Sequence, residues 1–279
     1  MVKKKLTRLD LQDMKDKGEK VVWITAYDCI TAQLAEEAGM DMLLVGDSLG
    51  MVVYGYPGTV PVTMDQSIIH TQAVRRGAPN TFAIGDMPFG SYHTGVSQAC
   101  ENAIRFYKEA DVDCIKLEGG TRVSSIIKAI CDGGMLVMGH VGLTPQSAGA
   151  MGGFRAQGRT ADSAKTIIDD AIAVYEAGAF SLVVEGVPPE VTLHICEAVP
   201  IPVYGIGAGH CDGQVMVCSD ILGLSQTFTP KFVKQYGNLA QEYRNVFTAY
   251  IDDVRKGAFP GEEHVYHMIE GEADKLSKK

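Results

Sequence analysis

Ala38-Gly39-Met40-Asp41-Met42-Leu43-Leu44-Val45-Gly46-Asp47-Ser48 runs from a helix end through a turn into an apolar strand and stops on an acid. Gly39 closes an amphipathic helical pattern over 30–38, where a left-handed residue commonly ends a helix. The run 42–45 carries no polar alternation, as expected of a parallel strand covered on both faces. The turn phrase recurs as Ala110-Asp111-Val112-Asp113 and Ala177-Gly178-Ala179-Phe180, each just ahead of another apolar run. Working outward, strands are predicted at 21–26, 42–45, 82–84, 114–117, 135–138, 181–184, 203–206 and 215–217. Helical patterns fall between them at 30–38, 66–75, 95–109, 123–131, 163–176 and 190–198. Eight such beats predict an α/β fold, a single (β/α)8 TIM barrel over residues 1–279, with a doubly wound sheet as runner-up. An N-terminal helical extension precedes the barrel, a C-terminal helix is expected over 228–256, and a charged tail frays from about 271.

The 279 residues are 46% hydrophobic, enough for a sizeable core, and the formal net charge of -9 repels phosphate backbones, so nucleic acid is not an expected partner. No apolar run reaches the roughly 20 residues that span a bilayer. Met1-Val2-Lys3-Lys4-Lys5 is basic but leads into Leu6-Thr7-Arg8-Leu9-Asp10, not an apolar stretch, which argues against a signal peptide and points to the cytoplasm. Seven scattered cysteines without a Cys-x-x-Cys fit reduced thiols better than disulfides or a zinc site. Two loops, 49–63 and 142–160, are long and rich in Gly and Pro, and both leave the strand ends that form a barrel's active face, as lids do.

The acids are placed informatively. Asp47, Asp86, Glu118 and Glu185 each follow an apolar run, where side chains reach the C-terminal rim of a barrel. Alternation along a strand then points Val45, Ile84, Lys116 and Val183 inward one layer below. Like charges gathered in a dry volume repel, and a divalent cation relieves them; hard carboxylate oxygens without a His/Cys cluster favour magnesium over zinc. Lys116 suits a substrate carboxylate, a Schiff base or simple pairing with Glu118. His140, at the predicted end of the fifth strand, suits a hydrogen bond to substrate. Gly205-Ile206-Gly207-Ala208-Gly209 allows close backbone approach to an anion but lacks the rest of a dinucleotide fingerprint. His70, His93, His194 and His210 receive no role.

Seven blocks carry a resemblance: Thr25-Ala26-Tyr27-Asp28, Val45-Gly46-Asp47-Ser48-Leu49-Gly50, Gly85-Asp86-Met87-Pro88-Phe89-Gly90-Ser91-Tyr92, Lys116-Leu117-Glu118-Gly119-Gly120, Met138 to Gln146, Val184-Glu185-Gly186-Val187-Pro188 and Gly205 to Gly209. In this order, from about residue 5 to 260, they resemble the ketopantoate hydroxymethyltransferase family. The resemblance implies transfer of a hydroxymethyl group from 5,10-methylenetetrahydrofolate to 3-methyl-2-oxobutanoate, giving 2-dehydropantoate in pantothenate biosynthesis. It implies Asp47 and Asp86 as magnesium ligands, Glu118 as a third acid acting directly or through water, and Ser48 and Lys116 gripping the keto acid. Glu185 is implied as general base, with His140 near the reacting end. It further implies a cytoplasmic homo-oligomer, a decamer. Folate contacts stay unassigned. The rivals are a magnesium-dependent keto-acid lyase or mutase of the isocitrate lyase and phosphoenolpyruvate mutase type, whose Lys-Cys-Gly-His loop is absent here; a Schiff-base aldolase using Lys116; and a non-catalytic barrel.

Overall fold

The computed structural model describes residues 4–226 and 229–276. Eight parallel strands close into a barrel in sequence order. They are β1 (Val21–Thr25), β2 (Met42–Val45), β3 (Phe82–Asp86), β4 (Cys114–Glu118), β5 (Val137–Gly142), β6 (Ser181–Glu185), β7 (Val203–Ile206) and β8 (Gly213–Met216). Closure runs through the register Val21↔Gly213 to Ile24↔Met216. Helices α1 (Arg8–Asp16), α2 (Cys29–Ala38), α3 (Leu49–Val52), α4 (Met64–Gly77), α5 (Val96–Ala110), α6 (Ser124–Asp132), α7 (Ala161–Glu176), α8 (Pro189–Ala198), α9 (Cys218–Ile221) and α10 (Leu239–Lys256) complete the chain.

The three predicted turn phrases share one backbone device. Gly39, Asp111 and Gly178 all take positive φ, at 93°, 51° and 102°. Glycine does so freely, and aspartate is among the few other residues that tolerate it. Each turn reverses the chain so that a helix packs back on the strand that follows. The barrel interior holds Trp23, Met42, Leu44, Phe82, Ile84, Cys114, Met138, Val183, Tyr204 and Val215 in one cluster. Leu11 of α1, fully buried, joins that cluster and stoppers the N-terminal end; burying a leucine there contributes about 2 kcal/mol. A second layer packs α5 to α8 on the outer strand faces, and a third packs α2 and α4 against β1 and β2.

Several boundaries depart from the sequence pattern. The fifth strand begins at Val137 and ends at Gly142, so His140 lies within it and not at its end. Three strands run on to include their acids, Asp86, Glu118 and Glu185. The C-terminal helix starts at Leu239, eleven residues after the predicted 228, and Phe228 lies outside the described residues. The chain through Pro230 and Gly237 does not support an earlier start. The loop over 49–63 is not structureless: α3 opens it, and the Tyr54 hydroxyl lies 2.9 Å from Nε2 of His70, whose Nδ1 meets the Tyr27 carbonyl. Residues 271–276 of the charged tail include a short 3₁₀ turn, while 1–3 and 277–279 lie outside the described residues.

Candidate active site

The C-terminal rim of the barrel gathers every site residue the sequence singled out. Strand register sets Asp86 beside Lys116, Glu118 beside His140 and Gly142 beside Glu185. Within β4, Lys116 and Glu118 are two residues apart and share the inward face. Ile84 and Val183 point inward as expected, but Val45 does not: it packs outside with Val62 and Val74, and Leu44 takes the inward position. Asp47 therefore reaches the site by another route. The chain leaves β2 at Val45 and turns through Gly46, where a Cβ would lie 2.8 Å from Ser48 Oγ. The backbone N–H of Asp47 then donates to Asp86 Oδ2 at 3.0 Å, drawing the turn over the barrel mouth.

Contacts run continuously from there. Lys116 Nζ donates to Asp86 Oδ1 at 2.7 Å and stands 3.9 Å from Glu118 Oε1. His140 bridges two acids, with Nδ1 3.6 Å from Glu118 Oε1 and Nε2 3.3 Å from Glu185 Oε2. Neither contact has hydrogen-bond geometry, and Glu118 Oε1 likewise lacks a partner. Ser48 Oγ is 2.8 Å from the Tyr27 hydroxyl. Asp47, Asp86, Lys116, Glu118 and His140 are all at most 4% exposed; Glu185 is the more open member, on the β6 side.

Burial and like charge shape the protonation states. Asp47 is pushed up to about 7, first by burial and then by Asp86, with Lys116 and Gln146 opposing. Burial also raises Glu118 well above the ordinary carboxylate range, against Lys116. For Lys116, burial works to discharge the ammonium, but Asp86, Glu118 and Asp47 outweigh it and hold the pKa above an ordinary lysine's. Its pairing with Asp86 favours the ammonium over the free amine with which a Schiff-base aldolase attacks. His140 is lowered by burial and rests as the neutral imidazole.

Two residues without a predicted role complete the site. Gln146 and Tyr92, both buried, fill the gap between Asp47 and Glu118. Beyond them lies a cavity of about 530 Å³ lined by Val60, Phe89, His93, Arg122 and Ile126, whose aromatic wall and single guanidinium suit a flat anionic ligand.

Among the described residues no three His, Cys, Asp or Glu side chains form a closed metal cluster. The donor set nonetheless fits a hard divalent cation. Magnesium uses one or two carboxylates and fills its octahedron with water and substrate, and here Asp47, Asp86 and Glu118 are buried close enough to repel one another, with an unpartnered oxygen on Glu118.

Barrel and rim together define the class: a (β/α)8 barrel whose C-terminal rim gathers buried carboxylates, one lysine and a neutral histidine. The chain belongs to the ketopantoate hydroxymethyltransferase family, which residues 5–262 match. It is 61% identical to the 3-methyl-2-oxobutanoate hydroxymethyltransferase of Alkaliphilus metalliredigens, over 96% of this chain and 95% of that one. It is 52% identical to the same enzyme of Moorella thermoacetica, over 94% and 98%. Among solved structures, a phosphonopyruvate hydrolase in complex with oxalate and magnesium aligns with a TM-score of 0.60 at 15% identity, over 97% and 96% of the two chains. That likeness is one of fold.

Proposed function

We propose that the chain transfers a hydroxymethyl group from 5,10-methylenetetrahydrofolate to 3-methyl-2-oxobutanoate, giving 2-dehydropantoate, with magnesium at the rim. The observation that carries the reading is the unbroken contact chain Asp47–Asp86–Lys116–Glu118–His140–Glu185 in one buried volume. The keto-acid lyase and mutase alternative fits less well, because curated relatives at 46–61% identity carry the transferase name.

Asp47 and Asp86 would hold the cation, with Glu118 beside it. A bound divalent cation supplies Lewis-acid neutralisation of charge developing on a keto oxygen, worth several kcal/mol. Lys116, kept charged, offsets the substrate carboxylate, and Ser48 donates to it from the Tyr27 side. Glu185 takes the proton from C3, adjacent to the ketone. Neutral His140 sits against that carboxylate at 3.3 Å and adds no positive charge beside it. The resulting enolate carbon bonds to the folate-borne methylene, and both bonds from the methylene carbon to folate nitrogen break. Water supplies the hydroxyl, and tetrahydrofolate leaves carrying the protons released by the keto acid and the water. The loops over 49–63 and 142–160 keep bulk water from the enolate.

Among the described residues no helix is long and apolar enough to cross a membrane; the cytoplasm is the compartment the family resemblance implies. The exposed Tyr243, Phe247 and Tyr250 of α10 support self-association into a homo-oligomer, the decamer the family resemblance implies.

Deuterium exchange at C3 of 3-methyl-2-oxobutanoate, with folate omitted, tests the reading. Chelator stops exchange and magnesium restores it. Glu185→Gln keeps keto-acid binding while exchange falls about 10²- to 10⁴-fold. Normal exchange in that variant removes Glu185 from the base role.

A further inference from the structure

Gln146 stands on the 3₁₀ turn Pro145–Ser147, just past β5, and is 4% exposed. Its backbone N–H donates to Glu118 Oε2 at 3.0 Å. Its Nε2 donates to Asp47 Oδ2 and to the Met87 carbonyl, both at 2.9 Å, and its Oε1 accepts from the Tyr92 hydroxyl at 2.7 Å. A carbonyl and a carboxylate only accept, so the amide has one orientation that satisfies all three neighbours. Tyr92 is fixed in turn, because its oxygen accepts from the backbone N–H of Glu118 at 3.2 Å.

We propose that Gln146 is the positioning residue of the cation site, with Tyr92 as its anchor. One residue engages one oxygen on each of two acids that lie far apart in sequence, and so selects which oxygens face the cation. On Glu118 the unengaged oxygen is Oε1, the one that is buried without a hydrogen-bond partner. A neutral amide does this without adding positive charge; a second lysine in its place would neutralise the acids and compete with the cation. The inference rests on the reading that Asp47 and Glu118 hold a divalent cation.

Magnesium titration of the metal-free protein by calorimetry tests it, alongside thermal melting of the same samples. Gln146→Asn is one methylene shorter and cannot reach Asp47, Met87 and Tyr92 together; its magnesium Kd rises about 10- to 100-fold, the usual cost of losing an outer-shell partner. Tyr92→Phe removes only the hydroxyl and raises Kd by a smaller factor. Metal-free melting reads the cost of the lost hydrogen bonds apart from the metal, and the magnesium concentration that half-saturates activity rises in step with Kd. Folded variants that bind magnesium like wild type overturn the proposal, as does a half-saturating magnesium concentration that stays at the wild-type value. Should Gln146→Asn not fold, Tyr92→Phe decides alone. A wild-type protein that binds no magnesium overturns the metal reading and this proposal together, whereas binding that neither variant changes overturns the proposal alone.

Discussion

The barrel carries acids at both ends, and the two sets live in different chemistry. At the N-terminal end, Asp41, Asp113 and Asp212 each precede a strand and accept the backbone N–H of Val22, Ala83 and Val203 on the neighbouring strand, at 2.8, 2.9 and 2.9 Å. Two of them are also paired with cations: Asp113 with Lys5 at 2.6 Å and Arg75 at 2.5 Å, Asp212 with Lys15 at 2.6 Å. At the C-terminal rim, Lys116 pairs with Asp86 and Glu118, Glu185 meets neutral His140, and Glu118 keeps an oxygen without a hydrogen-bond partner. The same residue types thus fasten strands at one end and store repulsion at the other. Buried polar groups are ordinarily satisfied. Among the described residues, the carboxylate and imidazole atoms buried without a hydrogen-bond partner, on Glu118 and His140, lie at the rim, and that is where a ligand belongs.

The largest expected contrast is in pH dependence. In metal-free protein, Asp47 is pushed up to about 7 by burial and Asp86, from an ordinary value of 3.8. A carboxyl raised on folding contributes stability that is fully present below the unfolded pKa and lost as pH rises through the folded one, an effect on the order of a few kcal/mol here. Asp47→Asn never ionises. Without metal, its melting temperature gains on wild type as pH goes from about 5 to 8, and magnesium erases that gain by stabilising wild type alone. A melting difference that stays flat across that window places no repulsion at Asp47.

The opposite outcome is expected at the other end. Asp113→Asn leaves Lys5 without its carboxylate and Arg75, only 8% exposed, with the exposed Asp111 at 3.6 Å in place of its close partner. Breaking a buried pair from one side costs about 3–5 kcal/mol, and the partial exposure of Asp113 brings this to about 2–3. Chemical denaturation reads the loss, and kcat per folded molecule stays that of wild type. A fall in kcat without a fall in stability would erase the division between the two ends.

The sequence carried the barrel because parallel strands covered on both faces leave unbroken apolar runs, and because the turns at Gly39, Asp111 and Gly178 repeat one phrase. It also carried the acids, since charge at the end of such a run is conspicuous. It placed strand ends too early: a carboxylate at a strand terminus reads as loop, yet the ladder continues through Asp86, Glu118 and Glu185. Period-two alternation led to the wrong parity on β2, where Val45 faces outward and a glycine turn, not the strand, brings Asp47 in. Gln146 and Tyr92 were illegible for a different reason. A neutral amide in a glycine-rich loop breaks no pattern, and its importance lies wholly in partners 28 to 99 residues away.

The smallest effect separates charge from hydrogen bonding at the stabilising end. Asp212 does two things: its Oδ2 accepts from Val203 N–H at 2.9 Å and pairs with Lys15 at 2.6 Å, with side chains about one-sixth exposed. Lys15→Met removes the charge partner but keeps the apolar stem, so only the ion pair is lost, about 0.5–1 kcal/mol. Asp212→Ala additionally strips the acceptor from a strand N–H at the β7–β8 seam, where an unmet donor costs about 1–3 kcal/mol more. Denaturant midpoints for the two variants should therefore differ, with Lys15→Met close to wild type and Asp212→Ala clearly below it. Equal losses would mean that the cation, and not the backbone bond, makes these acids stabilising, and the rim would then differ from the base of the barrel only in its supply of lysine and arginine.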